Sequence, residues 1–461
     1  MLLLESFENL RRIQPAHRWG RHTIAVVLMV FACFVANTGL AQAQRIAVEI
    51  SPGRAKAFSV AVQRFRDVAS PTRALRADDL RGVIGEALDF TGILLPLDHA
   101  AYLGPENSAP LNNRGRTDCN DWAQSGADAL VEGEIRSNNG MLEIEFAVWD
   151  TARCIRLVRK TVTRVRAEAV RLARTVSDEI VEAFTGTPGC AATEIAFVSD
   201  RSGYREVYVM DADGRNVRAA TESRSIKSFP SWLPDAEGIL YTSYTKSGQS
   251  DLYLTSRGAV RAGRLFPGVL PGLSKFRGVF GPTGDYLAVV ASHVGQTEIY
   301  TIHRSSGRLT RLTNNAAIEV GPSWSPDGKL IAFVSDRSGS PQIYTMNADG
   351  SGLKRITFNG HYNTSPAWSP DGKWIAYETR VGGQFDIWLV DPTGTTAVPL
   401  ITNPRSDEAP TWSPDSRKIA FTSTRRGHAD IYVVDRNGEN LQQLTRRQGD
   451  NLSAAWGPFP R

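Results

Sequence analysis

The residue types that could do chemistry are present in this chain but dispersed. His293, His303, His361 and His428 stand in four separate segments, a spacing that suits surface or loop positions better than a ligand set. Asp211-x-Asp213-Gly214 opens like a calcium loop, but no Glu follows where such a loop needs one, so it reads as a turn. There is no G-x-S-x-G elbow to present a nucleophile, no H-E-x-x-H pair to hold zinc and no G-x-x-x-x-G-K-[ST] cradle for phosphate. No catalytic residue, metal ligand or cofactor is therefore expected. Cys119, Cys154 and Cys190 match no zinc spacing. Cys119 and Cys154 fall in one region and could form a disulfide; three small buried or linker residues are the alternative.

The elements that must position these residues begin with an address. Arg11, Arg12, Arg18 and Arg21 precede an apolar run from Ile24 to Val35, and Ala41-Gln42-Ala43 follows as a small-x-small ending. This pattern is that of a secretory signal peptide, residues 1–43, with cleavage expected after Ala43. The alternative is an uncleaved anchor, but the run is shorter than the ~20 residues that span a bilayer. Cys33 lies inside the run, so no lipidation signal is read. Cleavage would remove four Arg and two Glu, taking the net charge from +5 to +3. No Lys/Arg stripe marks a nucleic-acid face, and no later segment reads as a membrane span.

The chain has 461 residues, of which 41% are hydrophobic, enough for two or three packed domains. Its second half repeats. Trp232, Phe280, Trp324, Trp368, Trp412 and Trp456 are equivalent anchors, at steps of 48, 44, 44, 44 and 44 residues. Three of them sit in WSPD. Strand-like runs follow the first five anchors, as in LIAFVSD (330–336) and KIAFTST (418–424), then QIYTMN, DIWLVD and DIYVVD, then LKRIT or LQQLT. Turns of the DRSG, NADG and DRNG type separate them. Four strands of ~5–6 residues with short loops fill such a unit. Six units predict a six-bladed β-propeller with WSPDG-type, WD40-like repeats over 194–461. Trp456 is an anchor with no strand after it, and EIAFVSDRSG (194–203) is a strand with no anchor before it. Each completes the other, so the C-terminal strand is expected to close the ring in the first blade.

Residues 44–186 show no repeat and read as one mixed α/β domain, joined to the propeller by a linker over 187–193. RIAVEI (45–50), AFSVAV (57–62), ILLPL (93–97), 129–135, 141–150 and 154–165 are strands. Residues 77–91 and 167–184 are amphipathic helices.

This order, with the SGADALVEGEI stretch at 125–135, resembles the TolB family, periplasmic components of the bacterial Tol–Pal system. Phe280 and the 48-residue step depart from the family pattern. The resemblance implies a scaffold that docks the lipoprotein Pal at the propeller mouth and TolA through its N-terminal segment, supporting outer-membrane integrity and invagination during division. It implies partner contacts in loops just before each anchor: Lys227, Ser228, Phe276, Arg277, Glu319, Val320, Asn363, Thr364, Asp407, Glu408, Asn451 and Leu452. Gln44, Arg45, Ile46, Ala47 and Val48 begin a short alternating strand suited to pairing with a partner's sheet or with its own domain. The competing expectation is an exported propeller enzyme or carbohydrate-binding protein with a site in the axial funnel.

Overall fold

A computed structural model describes residues 57–68, 77–108, 111, 118–244, 248–258, 263–266, 273–293, 295–446 and 448–460. The expected signal peptide and the strand over 45–50 lie outside them.

The N-terminal unit is a mixed sheet of β1 (Phe58–Val62), β2 (Arg66–Asp67), β3 (Leu94–Pro96), β4 (Ala129–Asn138), β5 (Met141–Asp150) and β6 (Ile155–Val165). Its order is β3-β1-β4-β5-β6, with β2 beside β4. β1 runs parallel to β3 and β4, and β4 to β6 form an antiparallel meander. Alternation decides the two faces. Val60 and Val62 turn toward Leu80, Ile84 and Leu88 of α1 (Ala77–Thr91). Leu172, Val176 and Ile180 of α3 (Ala169–Thr185) join the same core. Ala61 and Leu130 point the other way, to Trp122 on α2 (Asn120–Gln124). Gly133 is obligatory in β4, because a Cβ there would lie 2.5 Å from the Phe65 ring. Cys119 and Cys154 form a disulfide with Cα atoms 5.6 Å apart, tying the start of α2 to the turn before β6.

Six four-stranded antiparallel sheets follow among the described residues. Their inner strands are Lys227–Trp232, Ser274–Phe280, Glu319–Trp324, Asn363–Trp368, Asp407–Trp412 and Asn451–Trp456. The last pairs with Glu194–Ser199, Asn451 opposite Ser199 and Trp456 opposite Ile195, so the C-terminal strand closes the ring as expected. Edges that would template aggregation are removed.

The anchors bind blade to blade. Trp232, Trp324 and Trp412 donate Nε1–H to Ala455, Val279 and Ala367 carbonyls of the preceding blade, at 3.0, 3.1 and 2.9 Å. The buried Trp232 and Trp412 rings each add roughly 2–3 kcal/mol of apolar transfer, and the part-buried Trp324 less. Phe280 has no N–H to donate; it is buried edge-on to Phe266 instead. The motif Asp shapes the following hairpin: Asp327 accepts from Ser325 Oγ (2.7 Å) and Lys329 N–H (3.1 Å), and Asp371 and Asp415 repeat the pattern. The Ser325 hydroxyl and the Lys329 amide hold Asp327 below the usual carboxylate range.

One propeller face is packed against the N-terminal unit. Arg174, buried on α3, pairs with Asp211 and Asp213 at 2.5 and 2.7 Å. Arg215 in the same turn pairs with Glu86 of α1. Arg417, in a WSPDS hairpin, donates to Thr185 Oγ1 at 2.6 Å. The Asp178 carboxylate accepts from the Ala191 and Ala192 amides at 2.8 and 2.9 Å, and burial pushes its pKa up to about 7. Cys190 to Thr193 are buried, so the linker is a packed joint. These contacts come from turns joining first to second and third to fourth strands. In a meander the remaining turns, and the starts of the inner strands, emerge on the opposite face.

Candidate docking site at the propeller mouth

The residues expected at the mouth fall into two sets. Lys227, Glu319, Asn363, Asp407 and Asn451 open their inner strands and are at most 1% exposed. They lie in strands, not in loops. Ser228, Val320, Thr364, Glu408 and Leu452 follow them and are part-buried. In the blade that opens with Ser274–Phe280 the ladder shifts the expected pair by one residue. Lys275 faces Ala291 as Lys227 faces Ser243 and Glu319 faces Ser335, so Phe276 takes second place and Arg277 third. The register is set by a bulge at a constant distance from the anchor, which residue types alone do not announce.

The first-place residues are clamped, some within their own blade and some across the seams between blades. Arg337 donates to Glu319 at 2.8 Å, Arg425 to Asp407 at 3.0 Å and Arg201 to Asn451 at 2.8 Å. Each guanidinium also lies over a Tyr ring of its own blade, Tyr344, Tyr432 or Tyr208. Lys227 reaches Glu206 of the preceding blade at 3.4 Å, and Lys275 reaches Asp251 at 3.6 Å. Desolvation holds both lysines below their usual range. Asn363 and Asn451 likewise donate to the preceding blade, to Gln342 (2.8 Å) and Asp430 (3.0 Å). Buried polar groups this close to the axis must be paired to be tolerated.

Third place was not legible in the sequence. Phe229, Arg277, Gly321, Ser365, Ala409 and Ser453 all have φ between 50 and 65°. They are one position in six blades, each inside a break in the ladder between first and second strands. Left-handed backbone costs a non-glycine residue roughly 1 kcal/mol or more, and only one of the six is Gly. The preceding blade supports three of them: Thr242 Oγ1 accepts from Arg277 N–H (3.0 Å), Glu378 Oε2 from Ala409 N–H (2.7 Å) and Thr422 Oγ1 from Ser453 N–H (3.1 Å). The equal spacing of these positions from each anchor was the one available signal.

Around this ring the open face carries exposed Ile226 and Ile318 (54% each), Tyr362, Tyr204 and Phe358. Between the fifth and closing blades, Asp200, Arg426, His428, Gly449 and Asp450 line a shallow cavity of about 630 Å³. His428 lies 2.9 Å from Asp430, while His303 bonds Ser305 and Ser306 of its own turn and packs edge-on against Tyr286. The His293 side chain, and Gln44, Arg45, Ile46, Ala47 and Val48, lie outside the described residues. Among the described residues, no three His, Cys, Asp or Glu side chains gather as a metal site. Apolar side chains around a paired polar rim suit a macromolecular surface.

The TolB beta propeller domain family matches residues 181–460, and the TolB amino-terminal domain family matches residues 46–157. The chain belongs to the TolB family. The Tol-Pal system protein TolB of Anaeromyxobacter dehalogenans (strain 2CP-C) is 34% identical over 308 residues, 66% of this chain and 67% of that one. The same-named protein of Desulfosudis oleivorans is 32% identical over 296 residues, 62% and 65% of the two chains. The crystal structure of TolB from Acinetobacter baumannii superposes with a TM-score of 0.74 at 25% identity, covering 88% of this chain and 98% of that one. TolB architecture thus accounts for both units, and the relatives are Tol–Pal system components. No helix among the described residues is long and apolar enough to cross a membrane.

Proposed function

We propose that this protein is a periplasmic adaptor of the Tol–Pal system. The lipoprotein Pal docks on the open propeller face, and TolA engages the N-terminal segment Gln44–Val48. The complex supports outer-membrane integrity and invagination during division. One observation carries this reading: the face turned away from the N-terminal unit surrounds its axis with exposed Ile226, Ile318 and Tyr362. Second-place residues Ser228, Phe276, Val320, Thr364, Glu408 and Leu452 supply the surface next to them. First-place Lys227, Glu319, Asn363, Asp407 and Asn451 keep the seams rigid beneath it, and Arg277 lines the axis. Export fits the expected signal peptide and the Cys119–Cys154 disulfide, since such bonds persist in oxidising compartments.

Docking at the mouth is proposed to bias the N-terminal segment between pairing with a partner's sheet edge and packing on its own domain. A periplasmic pulldown with the full mature chain is expected to recover Pal as the main partner. Hydrogen exchange over 44–52 is expected to change when Pal is added. Recovery of no lipoprotein, together with turnover of a small substrate, would favour an enzyme or carbohydrate-binding protein. Unchanged exchange would remove the coupling alone.

A further inference from the structure

Of the six axial positions, only that of Arg277 is charged. Its Nη2 reaches two blades on, to Ser365 Oγ at 3.1 Å. The intervening blade has Gly321 at the crossing, where an added Cβ would stand 3.3 Å from the guanidinium carbon. That glycine leaves the arginine its path across the ring. The Phe229 ring supports the guanidinium from the opposite side, 5.2 Å from Cζ. Beyond it the ring is completed by Ala409 and Ser453, both small.

The charge of Arg277 is incompletely answered. A guanidinium has five N–H donors, and one of them has a side-chain acceptor here. The carboxylate that attracts it is Glu378, and Glu378 Oε2 is already held by the Ala409 amide at 2.7 Å. Burial also pushes the Glu378 carboxyl toward its neutral form. By contrast Arg201, Arg337 and Arg425, bonded within their own blades, each have a serine hydroxyl on Nε and an acid or amide oxygen on Nη2. A planar cation with spare donors, inside a ring and below an apolar rim, is matched by a carboxylate, which it can grip with two parallel hydrogen bonds.

We infer that the axial well receives an acidic side chain, Asp or Glu, from the protein that docks on the mouth, with Arg277 as its partner and Ile226, Ile318 and Tyr362 covering the apolar residues beside it. The inference rests on the docking reading above and names the group that this site selects.

The test measures calorimetric binding of the soluble domain of Pal to the full mature chain. Arg277→Met is expected to weaken binding at least about thirtyfold, and Arg277→Lys less, because a point charge keeps attraction but loses the fork. Should Arg277→Met not fold, Ser453→Asp serves instead: Asp tolerates the left-handed position, fills the well with the chain's own carboxylate and is expected to abolish binding. Changing each Pal acid to its amide should expose one residue whose loss is not additive with Arg277→Met. Wild-type-like binding by a folded Arg277→Met or Ser453→Asp variant, or strict additivity throughout, overturns the inference and leaves docking intact. Failure of the wild-type chain to bind Pal overturns both. Equal loss of binding in free phosphate, with no Pal acid coupled to Arg277, would assign the well to a small anion and overturn the inference as stated.

Discussion

The two faces of the propeller are built on opposite terms. On the covered face, charges meet across the joint with the N-terminal unit, and the central ones are buried and paired: Arg174 with two aspartates, Asp178 with two amides. On the open face, ion pairs lie within blades and across their seams, while the axis keeps a guanidinium with spare donors and the rim keeps exposed isoleucines. The difference teaches where stability and recognition are separated. A contact already satisfied inside the chain holds the molecule together, and one left unsatisfied is available to something else.

That contrast can be broken from the covered face first. Arg174→Leu should cost about 3–5 kcal/mol in chemical unfolding, because it strands Asp211 and Asp213 at a buried joint, and Pal binding should persist in the folded fraction. Removing the Cys119–Cys154 bond comes next. It closes a loop of 35 residues, so Cys154→Ser should cost roughly 2–4 kcal/mol, read as a lower unfolding midpoint of the N-terminal unit.

Asp178 should give the joint a pH dependence. Its native pKa, about 7, lies above the ordinary carboxylate value, so the folded chain holds the extra proton. The contribution of this group to stability is therefore greatest below about pH 4 and declines as pH rises toward 7, by at most about 1.4 kcal/mol per pH unit. Asp178→Asn should flatten that slope in unfolding titrations between pH 4 and 7. An unchanged slope would assign the dependence elsewhere.

Seam and rim sharpen the comparison within the open face. Glu319→Gln should cost about 1 kcal/mol, since Arg337 keeps a partial acceptor and some access to water. Ile318→Ser, at a side chain 54% exposed, should change stability by less than about 0.5 kcal/mol. Calorimetry with Pal should separate the pair, with Ile318→Ser weakening binding more than Glu319→Gln.

Much of the architecture was legible because it rests on local pattern. The aromatic anchors, the alternating runs and the turn residues predict blades from period alone. The expected helix over 77–91 coincides with α1, and that over 167–184 with α3 after a single 3₁₀ turn at Arg166–Glu168. The short β2 and α2 have too few residues for a period to register. The site was less legible. Charged and polar residues before the anchors, such as Lys227 and Glu319, look solvated in sequence, yet they are buried because a partner arrives from another strand. Glu319 meets Arg337 eighteen residues on, and Arg174 meets Asp211 across a domain boundary.

Sequence alone determined the number of blades, their closure and the amphipathic elements beside them, because hydrophobic periodicity and turn chemistry act over a few residues. Tertiary structure alone decided which polar residues became clamps, where the backbone turned left-handed and which guanidinium was left with donors to spare. Those outcomes depend on where neighbouring blades and the axis stand, and no local pattern encodes distance through space.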